Sequence, residues 1–349
     1  MTLKAGDWVE ICSKEEILAT LDSNGRLDEL PFMPQMFNAC GKRFKVFKRA
    51  HKTCDTVNWT GGRRLDNAVH LELRCDGSAH GGCQAGCLLY WKEAWLKGPG
   101  VTVAEPKGRG CTEEAVWTAT RAPAQQGGEE PRYVCQATQV PAFTKLLPWW
   151  DVRQYVEDYT SGNLSLSRLF NGFVYLAYYH GAQTWRNRLG RPSRWVYDRF
   201  QALWGGVPYP RTRGLIPAGQ PTPACSLNLQ PGEFVRVKSH KEILATIDKN
   251  FFNRGLAFDA ELVPNCGKVF RVQARVSKFI DEKTGKMKTL KTPAVILQGV
   301  WCESRYSNCK MFCPRAIYSW WREIWLERVP QEDQPKRPEG VTQVPAEVA

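Results

Sequence analysis

The chain has no run of about 18 or more apolar residues, which excludes the usual transmembrane-helix signature. Its first residues, Met1-Thr2-Leu3-Lys4-Ala5-Gly6-Asp7, hold no apolar signal core, so a cytoplasmic location is expected. There is no Walker phosphate loop, no Gly-x-Gly-x-x-Gly and no His-Glu-x-x-His, so nucleotide, dinucleotide and zincin chemistries lack support. Asp151 and the other carboxylates show no spacing that singles out an acid–base pair. Paired Cys-x-x-Cys knuckles, the strong zinc signature, are also missing.

What is present is a duplication. Gly6-Asp7-Trp8-Val9-Glu10-Ile11 matches Gly232-Glu233-Phe234-Val235-Arg236-Val237. Glu16-Ile17-Leu18-Ala19-Thr20-Leu21-Asp22 matches Glu242-Ile243-Leu244-Ala245-Thr246-Ile247-Asp248, and Cys40-Gly41-Lys42 matches Cys266-Gly267-Lys268. Trp91-Lys92-Glu93-Ala94-Trp95-Leu96 matches Trp321-Arg322-Glu323-Ile324-Trp325-Leu326. The copies act as an internal control: a residue kept in both serves the fold, and a reactive residue found in one is a better functional candidate.

Each copy opens with an alternating strand and continues into a capped helix. Ser13 with Glu16, and Ser239 with Glu242, have capping-box spacing. Strands are expected at 43–48 and 269–276, then at 68–74 and 294–301, with 281–286 as a hairpin tip. The Trp-rich closing segments read as helical. The expected fold class is α+β, two repeated small SH3-like β-barrel units joined by a helical, Arg-rich middle, with a curled α+β sheet as the alternative. The boundaries are 1–98 (first repeat), 99–142 (a loop-rich segment contributing cysteines), 143–206 (a helical basic-aromatic segment), 207–231 (a Pro-rich linker), 232–330 (second repeat) and 331–349 (a disordered tail).

Four segments also carry a resemblance: Cys266–Val272, Ile280–Met287, Cys313–Tyr318 and Tyr133–Thr138. Together they resemble an uncharacterised bacterial family with duplicated SH3-like, cysteine-containing repeats, associated with polysaccharide-related genes. The resemblance spans most of the chain and implies a bacterial origin without a known activity.

Thirteen cysteines in 349 residues is a high count. Without an export signal they are expected to be reduced, and clustered thiols then point to metal or redox chemistry. Cys40/Cys266, Cys75/Cys302 and Cys83/Cys313 match between copies, while Cys54, Cys87, Cys111 and Cys135 belong to the first half alone. Cys83 and Cys87 would share one face of a helix. Cys75 reaches them across a Gly-rich loop, and Cys54, Cys111, Cys135 or His80 supplies a fourth ligand. Soft thiolates suit zinc or an iron–sulfur cluster, and ordinary packed thiols are the bland alternative. The second copy has Ile317 and Ile280 where Cys87 and Cys54 would fall, so its site is expected to be degenerate, with Cys309 a partial substitute. His51-Lys52-Thr53-Cys54-Asp55 also places a base and a cation beside a thiol, a weak signature of a nucleophile.

The net charge of +13 favours an acidic partner: nucleic acid, an acidic polymer or an anionic membrane surface. Trp185, Arg186, Arg188, Arg191, Arg194 and Trp195 are the anion-binding candidates, because guanidinium forks take phosphates and aromatic faces stack on bases. A helical bridge with solvated arginines explains the same residues. The leading expectation is a metal-stabilised binding or scaffold protein for such a partner. The alternative is an iron–sulfur or other cysteine-ligated metalloenzyme with its site in the first half.

Overall fold

A computed structural model describes residues 2–99, 110–122, 130–184, 190–203, 206–307 and 309–330. The expected tail and part of the 99–142 segment lie outside the described residues. The chain divides into two compact units. One contains Met1–Gly172, Lys278–Thr289 and Ser307–Ile317; the other contains Phe173–Ser277, Leu290–Tyr306 and the chain from Tyr318 onward. Two excursions of the second copy therefore belong to the first unit.

In the first unit a five-stranded antiparallel sheet runs in the order Leu88–Lys92, Ala68–Arg74, Arg43–Arg49, Trp8–Ile11, Leu96–Lys97. The helix Lys14–Thr20 follows the opening strand because Ser13 and Glu16 form a reciprocal capping box, satisfying amides that the first turn leaves unpaired. It buries Ile17 in a core with Val9, Ile11, Val46, Val69, Leu71, Trp91 and Trp95. Trp95 is completely buried, and its indole N–H donates to Thr20 Oγ1 at 3.0 Å.

The second five-stranded sheet has the order Tyr318–Trp321, Met287–Trp301, Val269–Ile280, Phe234–Val237, Leu326–Arg328, the same sequence of equivalents. The pairing Val9↔Phe44 recurs as Val235↔Phe270, and Ile11↔Leu96 as Val237↔Leu326. Ser239 and Glu242 form the second capping box. Trp325 is buried, and its N–H donates to Thr246 Oγ1 at 3.0 Å. Phe32 meets Trp95 edge-on at 5.1 Å, and Phe258 meets Trp325 edge-on at 5.2 Å.

The expectation of two SH3-like barrels is corrected. The chain is a mixed helix-and-sheet protein in which one sheet curls into a half-barrel. The three-stranded sheet Lys145–Leu147, Gly62–Arg64, Lys52–Cys54 is neither closed nor curled. Closure needs both edges of a sheet to meet. In the first five-stranded sheet, Leu88–Lys92 and Leu96–Lys97 remain at opposite edges among the described residues. Without two barrels, the resemblance to a family of duplicated SH3-like barrels falls as well.

The closing segments also differ from expectation. Each is a strand followed by a short 3-10 turn, Glu93–Trp95 and Glu323–Trp325. A short apolar run fits either period; pairing of Val69 with Trp91 and of Val295 with Trp321 decides for the strand. The middle segment contains the helices Arg153–Thr160, Leu166–Thr184 and Gly190–Leu203. Among the described residues no helix is long and apolar enough to cross a membrane.

Candidate thiol pocket

Cys75 directly follows the strand Ala68–Arg74, and Cys87 directly precedes the strand Leu88–Lys92 that pairs with it. The Cys75 amide donates to the Cys87 carbonyl at 2.8 Å, closing the connecting loop at its base. Inside it, the amides of His80 and Gly82 both donate to Gly77 O at 2.9 Å. Gly77 has φ +75°, and a Cβ there would lie 2.1 Å from Cys83 O, so this turn requires glycine. Cys83 and Cys87 are consequently on irregular backbone, not one helical face. Gly82 and Gly86, at φ +72° and +59°, prevent the helix that their spacing predicts.

Cys135 arrives from a separate segment. Its amide donates to Thr138 Oγ1 at 3.0 Å. The neighbouring Gln136 clamps this turn to the sheet: Oε1 accepts from Tyr90 N at 2.8 Å, and Nε2 donates to Tyr90 O at 2.9 Å and to Pro31 O at 3.1 Å. A fourth side, Ile280 with Arg315, comes from the two excursions of the second copy.

Cys75, Cys83, Cys87 and Cys135 thus line one pocket, walled by Met33, Leu88, Leu89 and Ile280. Its volume open to the centre of a water molecule is about 30 Å³. On that measure one water needs roughly 10–15 Å³, so the pocket has room for about two or three waters. Two sulfurs accept hydrogen bonds: Gln35 Nε2 donates to Cys75 Sγ at 3.0 Å, and Ile280 N to Cys83 Sγ at 3.4 Å. Burial pushes the Cys75 thiol up to about 12 and Cys135 to about 11, and it also raises Cys87 well above the ordinary thiol value. Without a soft cation these are protonated, unreactive thiols.

His80 also lines the pocket, with Nε2 hydrogen-bonded to Val134 O at 3.0 Å. Arg315 is buried at its edge, donating to Thr56 Oγ1 at 2.6 Å and pairing with Glu282 at 3.0 Å. Sequence reasoning missed Arg315, Glu282, Gln136 and Gln35. Only the long-range fold brings them here.

The other expected ligands do not line this pocket. Cys111 packs in the first core, its amide donating to Leu18 O at 2.9 Å. Cys54 ends the strand Lys52–Cys54, and its carbonyl accepts from the Arg315 guanidinium at 3.4 Å. Its sequence neighbours serve elsewhere: His51 and Lys52 reach Asp158 at 3.2 and 2.5 Å. Among the described residues no group of three or more His, Cys, Asp or Glu is placed to hold a metal ion. The expectation of a ready-formed metal-binding cluster, for zinc or for iron and sulfur alike, is corrected to that extent.

Of the anion-binding candidates, Trp185, Arg186 and Arg188 lie outside the described residues, and Arg191 is described in backbone only. Arg194 donates to Thr212 Oγ1 at 2.9 Å and lies 3.7 Å from Asp198. Trp195 is 63% exposed, with the Arg199 guanidinium 5.6 Å from its ring centre.

No family model matches this chain, and no curated protein matches it.

Proposed function

We propose that this chain is an iron–sulfur protein whose Cys75, Cys83, Cys87 and Cys135 hold one four-iron cluster. The carrying observation is that four cysteines from two separate segments line a single, mainly apolar cavity. A polynuclear cluster asks for thiols around a cavity, since each iron takes its own cysteine and bridging sulfides occupy the centre. Donors already aimed at Cys75 and Cys83 Sγ fit this reading, because N–H···S bonds tune such clusters. Buried Arg315 offers positive charge beside an anionic group. When all four irons carry protein ligands, no coordination position is left for substrate. The role that follows is one-electron transfer rather than substrate activation.

The test is anaerobic reconstitution of the full chain with iron and sulfide, compared with C83S and C135S. The wild type should gain broad visible absorbance and bind iron, and each variant should lose most of both while keeping its circular dichroism. Folded wild-type protein that stays colourless and iron-free, or variants that load equally well, would overturn the reading.

A second reading, an acidic partner, rests on the exposed Trp195 with Arg199 beside it. Binding of single-stranded nucleic acid that weakens steeply with salt, and weakens further in W195A, would support it. Anionic vesicles serve as the alternative ligand, and failure to bind either polyanion rejects this second reading.

A further inference from the structure

The two copies carry opposite charge at one corner of the frame. In the first, Lys92 Nζ donates to Asp66 O at 3.2 Å and pairs with the Asp28 carboxylate at 2.8 Å. Arg322 is the second copy's equivalent of Lys92, and Arg254 its equivalent of Asp28. Asp28 and Arg254 share left-handed backbone, φ +49° and +45°, so the turn is kept while the side chain has changed sign. Arg322 again donates to the matching carbonyl, Thr292 O, and also to Arg254 O at 2.9 Å, Pro293 O at 3.3 Å and Asn253 O at 3.4 Å. All of these acceptors are carbonyl oxygens, and no carboxylate pairs with it among the described residues. Arg322 is 2% exposed, and burial first, then the Arg254 charge, lower its pKa. A buried guanidinium without a counter-ion is costly, and an anion supplied from outside would offset that cost.

Arg254 also lines a pocket whose volume open to the centre of a water molecule is about 490 Å³. Its walls come from three segments of the second unit: the turn holding Asp248, Phe252 and Arg254, the strand holding Lys291 and Thr292, and Thr222 from the expected linker. The linker is fastened here, with Lys249 N donating to Ile216 O at 2.9 Å and Arg254 N to Thr222 Oγ1 at 2.8 Å. The Arg254 guanidinium is held along one edge, Nε to Thr292 Oγ1 and Nη1 to Thr222 O, both at 3.3 Å. Its Nη2 has no partner among the described residues. Lys291 is exposed, and Phe252 is 42% exposed. Asp248, the one acid in the lining, serves the turn: its Oδ1 accepts from the amides of Asn250 and Phe252 at 2.8 and 2.9 Å. Asp22 makes the same two bonds in the first copy, to Asn24 and Arg26. Asp248 therefore belongs to the shared frame. Phe252, Arg254 and Lys291 stand where the first copy has Arg26, Asp28 and Leu65, and belong to this copy alone.

We propose that this pocket binds a small phosphomonoester bearing a flat ring, with Arg254 and Lys291 on the phosphate and Phe252 against the ring. Arg254, Lys291 and the underlying Arg322 face a single carboxylate, which leaves an excess of two positive charges. A phosphomonoester carries about −1.5 to −2 at neutral pH and matches that excess, whereas a carboxylate supplies half of it. The open edge of a guanidinium takes phosphate oxygens in a fork, and an ammonium adds a point charge. An exposed phenyl face packs against a planar ring. The bound phosphate supplies the countercharge that Asp28 gives Lys92 in the first copy.

No lining residue is a cysteine, so the test is independent of the cluster and uses the full chain. Phenyl phosphate, inorganic phosphate and benzoate are titrated at low salt by calorimetry. Phenyl phosphate should bind about tenfold more tightly than benzoate. Arg254→Asp restores the acid of the first copy at a left-handed position that Asp tolerates well. It should raise the melting temperature of the ligand-free protein and weaken phenyl phosphate binding by about tenfold or more. Lys291→Gln, at an exposed position, should keep the fold and weaken binding several-fold. Phe252→Ala should weaken phenyl phosphate and leave inorganic phosphate unchanged. Folded wild-type protein that does not bind phenyl phosphate, binding unchanged in both Arg254→Asp and Lys291→Gln, or benzoate bound as tightly as phenyl phosphate would each overturn the proposal.

Discussion

The two five-stranded sheets have one strand order and different connections. In each, a capped helix and a buried tryptophan bonded to a threonine fix the frame: Thr20 with Trp95, Thr246 with Trp325. The chemistry differs at the connection between the third and fourth strands. In the first copy that connection is Cys75–Cys87, pinned across its base and lining a cavity. In the second it contains Cys302, Cys309 and Cys313, and its Ser307–Ile317 part belongs to the first unit. A duplicated frame can therefore hold its packing constant while one loop changes its side chains. The residues to inspect for function are those between the paired strands, not those beneath them.

The most disruptive way to break this comparison is at the frame. Trp95→Ala and Trp325→Ala each remove a completely buried indole, and each should lower stability by about 3–5 kcal/mol in denaturant unfolding. A large loss in one and none in the other would show that the two tryptophans are not equivalent. The connection comes next. Gly77→Ala combines positive φ with a Cβ 2.1 Å from Cys83 O, and should cost about 2–3 kcal/mol. Gly267→Ala in the other copy has φ +77° but open space around its Cβ, and should cost only about 1 kcal/mol. Equal costs would mean that the tight turn is not special to the thiol loop.

The units should also separate by pH. Burial raises the Glu261 carboxyl to about 7, against hydrogen bonds from the Tyr306 and Arg305 amides that lower it. The folded state therefore favours the protonated acid. This contribution is complete below the unfolded carboxyl value near 4.5 and is lost as pH rises through about 7. Thermal unfolding of the second unit should show a loss on the order of 2 kcal/mol between those limits, absent in Glu261→Gln. The smallest effect is at the caps. Ser13→Ala and Ser239→Ala should each cost about 1 kcal/mol, measured by denaturant titration.

The frame was legible because its signals are local. A capping serine three residues before glutamate acts within one turn, and alternating apolar residues select a buried face wherever the strand pairs. Barrel closure was not legible, since it depends on whether distant edges meet. The cysteines that line the pocket were legible as residue types. Cys75, Cys83, Cys87 and Cys135 all stood among the candidates, whereas separating Cys135 from Cys54 and Cys111 required the fold. The Cys-x3-Cys spacing read as a helix because periodicity takes no account of Gly82 and Gly86 at positive φ. Arg315 and Glu282 lie far in sequence from Cys75, Cys83, Cys87 and Cys135, and no spacing tied them to that pocket.

The central claim is that four thiols around one cavity hold a cluster rather than a single ion. Iron and acid-labile sulfide measured per chain, after anaerobic reconstitution and removal of unbound metal, tests it most directly. The account predicts about four of each, falling together in C135S. One zinc per chain with no sulfide, or neither metal nor sulfide in a folded protein, would contradict it.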